Sequence, residues 1–370
     1  MHRSINRLVI LLALLLTCRF AFGQYSLRFY GNGVNAPGLD RVKIPIDNPN
    51  KAADVKSNFT IEFWIKCTAS DNNGTVSAAG NGDGWITGNV IFDRDIFGSG
   101  DYGDFGISIG SCSGCPSGTR VVAFGIDRQG SGATIIGNTH IADGAWHHIA
   151  ITRKSSNGQI RIYVDGVQDA QGTGPVGDVS YRNKRATSYP NSDPFIVLGA
   201  EKHDAGSSYP SYNGYLDELR ISKSVRYTSN FTVPAGPFTV DSKTAALYHF
   251  DEGSGTFVGD AAPGASHGTL HYGGSPAGPE WVADQPFSLW RLGAGEELPF
   301  TRYQAGTLTV FLPVGTRAVE VIDAAGRLWY SADAAEGLWQ KDLNLPSGIF
   351  FLVVRRDQAV PLISRFAVQY

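Results

Sequence analysis

Sulfur is scarce in this chain of 370 residues, which holds four cysteines and a single methionine at position 1. Without a thioether in its body, the chain has no axial ligand of the kind that blue-copper and cytochrome c sites use. An excess of one charge is also missing, since 31 Lys and Arg stand against 34 Asp and Glu, a formal net charge of −3. That balance removes the electrostatic footprint of a nucleic-acid or anionic-membrane binder. Long hydrophobic runs are lacking too. Residues 8–16 form an apolar run of nine and residues 349–354 one of six, whereas a bilayer-spanning helix needs about 20. No amphipathic helical pattern longer than about three turns occurs.

Glycine is abundant. Its 45 residues are about 12% of the chain, against ~7% in average proteins, and 18 prolines add further turn signals. A hydrophobic content of 42% is enough to build a packed core, which excludes a disordered chain. Many turns with 11% aromatic residues read as an all-β protein.

Arg3 and Arg7 precede the apolar run 8–16, and Ala21-Phe22-Gly23 follows with small residues at the −3 and −1 places. This is the pattern of a secretory signal over residues 1–23, with Gln24 as the first mature residue, and it sets the expected location as secreted or at the outer cell surface. A lipid anchor at Cys18 is the alternative, although Thr17 stands where a small Gly or Ala is usual. Export leaves Cys67, Cys112 and Cys115 in an oxidising compartment that permits disulfides. Cys112-Ser113-Gly114-Cys115 lies in a Gly/Ser/Pro loop and reads as a short disulfide, with Cys67 a buried free thiol. A zinc site would need a second ligand pair, for which only Cys67 remains.

Strand-like stretches run through the chain at residues 26–30, 42–46, 59–66, 121–126, 195–199 and 215–221. The clearest is a hairpin. Ile149 and Ile151 alternate with Ala150 and Thr152, and Ile160, Ile162 and Val164 alternate with Arg161 and Tyr163, so each strand buries one face. Asn157-Gly158 and Asp165-Gly166 supply the residues that tolerate positive φ in the turns.

The stretches "WHHIAITRKSSNGQIRIYVDGV", "YNGYLDELRIS", "SLRFYGNG" with "DRVKIPI", and "FTIEFWIKC" together resemble the laminin-G-like, concanavalin A-like jelly roll of exported bacterial proteins. The resemblance covers about residues 24–281 and implies two antiparallel sheets packed face to face. "LYHFDEGSGTFVGDAAPGASHGTL" resembles a segment that usually precedes the opening strand of this family, yet here it follows "LDELRIS". Too few residues follow it for a sandwich of its own, so residues 241–285 are expected to be a permuted closing segment and linker within a domain of residues 24–285.

Residues 286–370 read as a second β unit, with strands at 308–311, 319–322 and 349–354. "VEVIDAAGRLWY", "LNLPSGIFFLVVRRD" and "SRFAVQY" resemble the C-terminal sorting domain of type IX secretion cargo, a small Ig-like sandwich. That resemblance implies recognition by outer-membrane secretion machinery. The usual Pro-Asn-Pro-Phe start is missing, and residues 298–300 are a poor substitute.

Glycosidases of the concanavalin A-like class need two carboxylates flanking the bond, ~5–5.5 Å apart in retaining enzymes. No Glu-x-Asp-x-x-Glu stretch is present, Glu62 stands alone, and Asp217 and Glu218 are consecutive, so on a regular strand they would face opposite ways. The expectation is therefore a protein without catalytic residues. His147 and His148, also consecutive, are excluded as a chelating pair by the same argument. The acidic stretch Asp93, Asp95, Asp101 and Asp104 lacks EF-hand spacing and reads as a loop with local Asp–backbone hydrogen bonds. The family resemblance implies a structural Ca²⁺ where first and last strands meet, with Asp217 and Asp260 at matching positions and Asn32 in the opening-strand loop as a further metal candidate.

Sugar recognition needs exposed aromatics to stack on apolar sugar faces and planar polar groups to fix hydroxyls. Trp85, Tyr209 and Tyr212, with His203 beside Asp204, stand in Gly/Ser/Pro-rich loops and are the expected ligand-binding residues; Tyr102, Tyr181 and Tyr189 are loop aromatics of the same kind. The expected function is non-catalytic carbohydrate or surface-glycan binding, with adhesion. A glycan-degrading hydrolase of the same fold and a purely structural surface protein are the alternatives.

Overall fold

The computed structural model describes residues 25–287 and 301–368, apart from residues 36, 79–81, 98–102, 182–185, 235, 305, 313–315, 324–326, 336 and 357–358. The expected signal segment, Asp101, Tyr102 and residues 298–300 lie outside the described residues. Among the described residues every regular element is a strand and none is a helix. The chain divides after Phe287 into two compact units.

The first unit is a sandwich of two sheets. One orders Val167–Thr173, Gln159–Val164, Asp143–Lys154, Phe59–Thr68, Asn213–Ser222, Ser26–Tyr30 and Glu280–Val282, with Thr244–Tyr248 also paired to Asn213–Ser222. The other orders Phe257–Val258, Gly268–His271, Arg41–Pro45, Phe195–Leu198, Asn89–Asp93, Gly103–Cys112, Val121–Arg128 and Ser131–Ile136, with Thr75–Val76 beside Gly103–Cys112. Residues between 244 and 282 thus add strands to both sheets and complete this sandwich.

Period-two alternation builds the core. Phe59, Ile61, Phe63, Ile65 and Cys67 point inward from one strand, Val42 and Ile44 from a strand of the facing sheet, and all join one buried cluster. Each such side chain contributes about 1.5–3 kcal/mol by leaving water. The hairpin at Asn157-Gly158 pairs Gln159 with Lys154, and Gly158 adopts φ +69° as its turn requires. Cys112 and Cys115 are bonded as a disulfide, and Cys67 is a buried free thiol.

The second unit places Thr301–Gln304, Thr307–Leu312 and Gly337–Asp342 in one sheet. Leu328–Asp333, Thr316–Asp323, Gly348–Arg356 and Ala359–Val368 form the other. Leu308, Val310, Val319, Val321, Leu352 and Val354 fill the core between them.

Candidate functional site

The outer face of the nine-stranded sheet carries the chemistry. Val42 and Ile44 of Arg41–Pro45 point into the core, so Arg41 and Lys43 point out. Val197 is the cross-strand partner of both Lys43 and Asp93, which therefore share this outer face. Two loop systems cover the face. The first brings Trp85 over Gly106 and Gly125, where a Cβ on either glycine would overlap the indole. Trp85 is consequently 3% exposed within a small cluster with Val76, Val90, Val121 and Ala123. It is a packing residue, which corrects its assignment as a sugar platform.

The second system, around residues 187–206, closes over a buried ionic floor. His203 is 7% exposed. Its Nε2 lies 2.7 Å from Asp193, and its Nδ1 lies 3.1 Å from Glu201 and 3.4 Å from Asp95. Burial disfavours the imidazolium, but bonds to Asp193, Asp95 and Glu201 outweigh that and raise the His203 pKa to about 11. Beside it, Lys202 is fully buried and donates through Nζ to the carbonyls of Phe195 at 3.1 Å and Asp193 at 3.3 Å. Its backbone N–H donates to Asp93 at 2.9 Å. Asp93 is raised to about 7 by burial and by repulsion from Glu201, and Asp104 to about 9 by burial and by repulsion from Asp95. His203 is thus the ionic keystone of the floor, buried and held by carboxylates, which corrects its assignment as a ligand-binding loop residue. Phe97 and Tyr189 pack against it, their rings tilted by 42° with centroids 4.2 Å apart and each 5.5 Å from the imidazole. Both remain partly in solvent, at 46% and 36% exposure.

Two recesses flank the segment 31–38. One, of about 440 Å³, is lined by Tyr30, Asn32, Asp71, Asn73, Asn89 and Asn213, with Gly206–Ser207 and Pro210–Ser211 at its mouth. The Asn213 Oδ1 in its wall is buried without a donor among the described residues. The other, of about 480 Å³, is lined by Asn35, Arg41, Lys43, Tyr189, Ser192 and His271 among others.

Of the remaining expected residues, Tyr212 is fully buried and its hydroxyl donates to the carbonyl of Tyr215 at 2.9 Å, so it is a core residue and not a platform. Its burial follows from close packing against Phe29, 6.2 Å away between centroids. Tyr209 is half-buried, its N–H and C=O paired with Gly206 at the mouth of the first recess. Asn32 lines that recess and donates to the carbonyl of Pro276 at 2.6 Å. Asp260 accepts from the backbone N–H groups of Leu247, Ala262 and Ser266, at 2.8–2.9 Å. Those bonds engage both its oxygens, which makes it a loop anchor.

Asp217 is buried, and burial and repulsion from Glu218 and Asp251 hold its pKa well above the carboxylate range. Both Asp217 and Glu218 are buried, against the alternation expected of consecutive strand residues, because the register shifts here and Glu218 takes φ +51°. Glu218 bonds His249 at 2.6 Å. Among the described residues, the one group of three His, Cys, Asp or Glu ligand atoms within 4.8 Å of each other is Asp95, Glu201 and His203, and Asp217 and Asp260 are not in it. Glu62 is buried and accepts from Arg220 Nε at 2.9 Å and Tyr227 at 2.8 Å. Burial opposes its charge, yet His148, Arg220 and Tyr227 together keep its pKa below the ordinary value. It is neutralised in place.

The residues that the sequence did not single out are Phe97, Glu201, Arg41, Lys43 and His271. Only the Arg41-x-Lys43 alternation, apolar residues between, signalled an outward pair.

A family model described as the concanavalin A-like lectin/glucanases superfamily matches residues 40–229. No curated protein matches the chain. Among solved structures, a candidate carbohydrate-binding protein of Bacteroides ovatus is 17% identical with a TM-score of 0.40, covering 67% of this chain and 58% of that one. The chain thus spans less than two thirds of that protein's length. The SAP-like pentraxin of Limulus polyphemus is 15% identical, TM-score 0.36, covering 55% of this chain and 78% of that one. Domains LG4-5 of the mouse laminin alpha1 chain are 10% identical, TM-score 0.33, covering 94% and 69%.

Proposed function

This chain belongs to the concanavalin A-like lectin/glucanases superfamily, and we propose that it is an exported, non-catalytic protein that binds carbohydrate on a surface. The observation that carries this reading is the recess lined by Asn32, Asp71, Asn73 and Asn213 beside Tyr30. Planar amides and a carboxylate are the groups that fix sugar hydroxyls, and a recess of about 440 Å³ falls in the range of small-ligand sites. Glu62, the carboxylate of the core strand, is committed to Arg220 and Tyr227, which favours binding over hydrolysis.

The test is a glycan array with the full mature chain, paired with a reducing-sugar assay. Binding is expected, with Asn73→Ala weakening it at least about 10-fold, the scale of one lost hydrogen bond to a ligand left with an unpaired polar group, and no sugar released. A blank array, or turnover, refutes the reading.

In the same proposal, residues 286–370 are the sorting unit handed to outer-membrane secretion machinery, and the protein acts outside the cell. Deleting them in the native host is expected to abolish surface delivery, measured by labelling intact cells. Calcium enters as a structural ion at Asp217, a buried carboxylate on which the charges of Glu218 and Asp251 act. Added Ca²⁺ is then expected to raise the melting temperature of the wild type and not of Asp217→Asn; equal responses refute that placement.

A further inference from the structure

The second recess differs from the first in charge. Arg41 and Lys43 project into it from one strand, and His271 is the direct cross-strand partner of Arg41. Residues directly opposite in an antiparallel pair hold their side chains on the same face about 5 Å apart at Cβ. Asn35, Ser188, Asn191 and Ser192 complete the polar lining, Tyr189 supplies an aromatic wall, and none of the described lining residues is acidic.

Two cations, Arg41 and Lys43, face one groove and repel each other unless an anion joins them, and the His271 imidazole lies beside them. The charges that act on Lys43 are those of Arg41 and Lys202, and those on His271 are Lys43 and Arg41, so burial and these cations push both pKa values down. Arg41 alone has carboxylates behind it, Glu201, Asp93 and Asp40, and burial still brings it down to about 10. Arg41 as a residue is 1% exposed, and its Nη2 has no acceptor among the described residues. Lys43 is anchored by donation to the carbonyl of Asn191 and lies 4.5 Å over the Phe195 ring, so its charge is held in place at the groove.

We infer that this groove binds the acidic group of a saccharide, a carboxylate or a sulfate ester, between Arg41, Lys43 and His271, with the sugar ring against Tyr189. The anion supplies the countercharge that the lining lacks. The tilted Phe97 ring, 4.2 Å from Tyr189, and the His203 ring, edge-on to Tyr189, hold the aromatic wall in position. The saccharide part rests on the glycan-binding reading above; the anion part rests on the groove alone.

The test uses the full mature chain with four probes at 150 mM NaCl: polygalacturonate, heparin, dextran and inorganic sulfate. At least one acidic polymer is expected to bind more tightly than dextran, polygalacturonate marking a carboxylate ligand and heparin a sulfate ester. Lys43→Gln and His271→Gln are each expected to weaken that binding about 10- to 100-fold, the scale of a lost charge-assisted hydrogen bond, while Asn73→Ala in the other recess leaves it unchanged. Both variants change partly exposed side chains, and circular dichroism checks their fold. Acidic polymers that bind no better than dextran, or binding that survives both substitutions, overturn the inference while leaving glycan binding at the first recess intact. Binding of inorganic sulfate with no acidic polymer bound overturns the saccharide assignment. A chain that binds no glycan of any kind refutes the broader reading instead.

Discussion

Replacing His203 by Gln keeps a side chain of similar size and one donor but deletes the cation that faces Asp193, Asp95 and Glu201. Lys202 cannot take its place, because its Nζ is held by the carbonyls of Asp193 and Phe195 in a fully buried site. Removing one partner of a buried ionic cluster costs about 3–5 kcal/mol, since the remaining charges stay out of water. For a unit of this size that lowers the melting temperature by about 6–20 °C.

The pH dependence gives the experiment its second axis. His203 has a folded pKa of about 11, above the ordinary 6.5, so its contribution is complete below pH 6.5 and is lost as pH rises through 11. In the variant, the unpaired carboxylates bind protons more readily, so acid restores part of its stability. The gap between wild type and variant is therefore widest near pH 6–7 and narrows toward pH 4 and pH 10. Urea unfolding of a chain starting at Gln24, read by maleimide labelling of the buried free Cys67, isolates the first unit from the second. A gap below about 1 kcal/mol at pH 6.5, or one that widens above pH 9, would refute the assignment of His203 as the keystone.

Two further outcomes follow from the packing. Gly125→Ala drives a methyl into the Trp85 ring and the Gly82 carbonyl, with an expected loss of about 1–3 kcal/mol by chemical denaturation; pairing it with Trp85→Ala is expected to be less than additive, and strict additivity would mean that the two groups do not touch. Glu62→Gln leaves Arg220, 2.8 Å away, and Arg226, 3.7 Å away, without their buried carboxylate. It is expected to cost about 3–5 kcal/mol at neutral pH. Because the folded pKa of Glu62 lies below its ordinary 4.5, that difference is present above pH 4.5 and fades as pH falls below it; a difference unchanged at pH 3 refutes the charge-based account.

Strand positions were readable because a period of two is a local property. Ile149 and Ile151 state their face within a few residues, and Asn157-Gly158 states where the chain reverses. Composition misled where two kinds of loop share it. The Gly-rich stretch around Trp85 looked like an exposed platform, yet the glycines that matter, Gly106 and Gly125, lie on the strands beneath and make room for the indole. Tyr212 was misplaced for a similar reason, since its buried hydroxyl finds backbone partners in residues that the local sequence does not rank.

The floor and the anion groove show a different limit. The local part of the acidic stretch was legible, as Asp93 does accept from the backbone N–H of Asp95 at 2.6 Å. What turns it into a site is His203 and Lys202, about a hundred residues later, and no periodicity links the two stretches. Likewise Arg41 and Lys43 announce an outward pair, but their cross-strand neighbour His271 arrives from the closing segment, some 230 residues on. The late position of that segment in the chain therefore has a chemical consequence. It supplies the strand that sets His271 opposite Arg41, one strand in from the edge of the sheet, so a family resemblance that covers the jelly roll as a whole does not by itself reveal the charge of this groove.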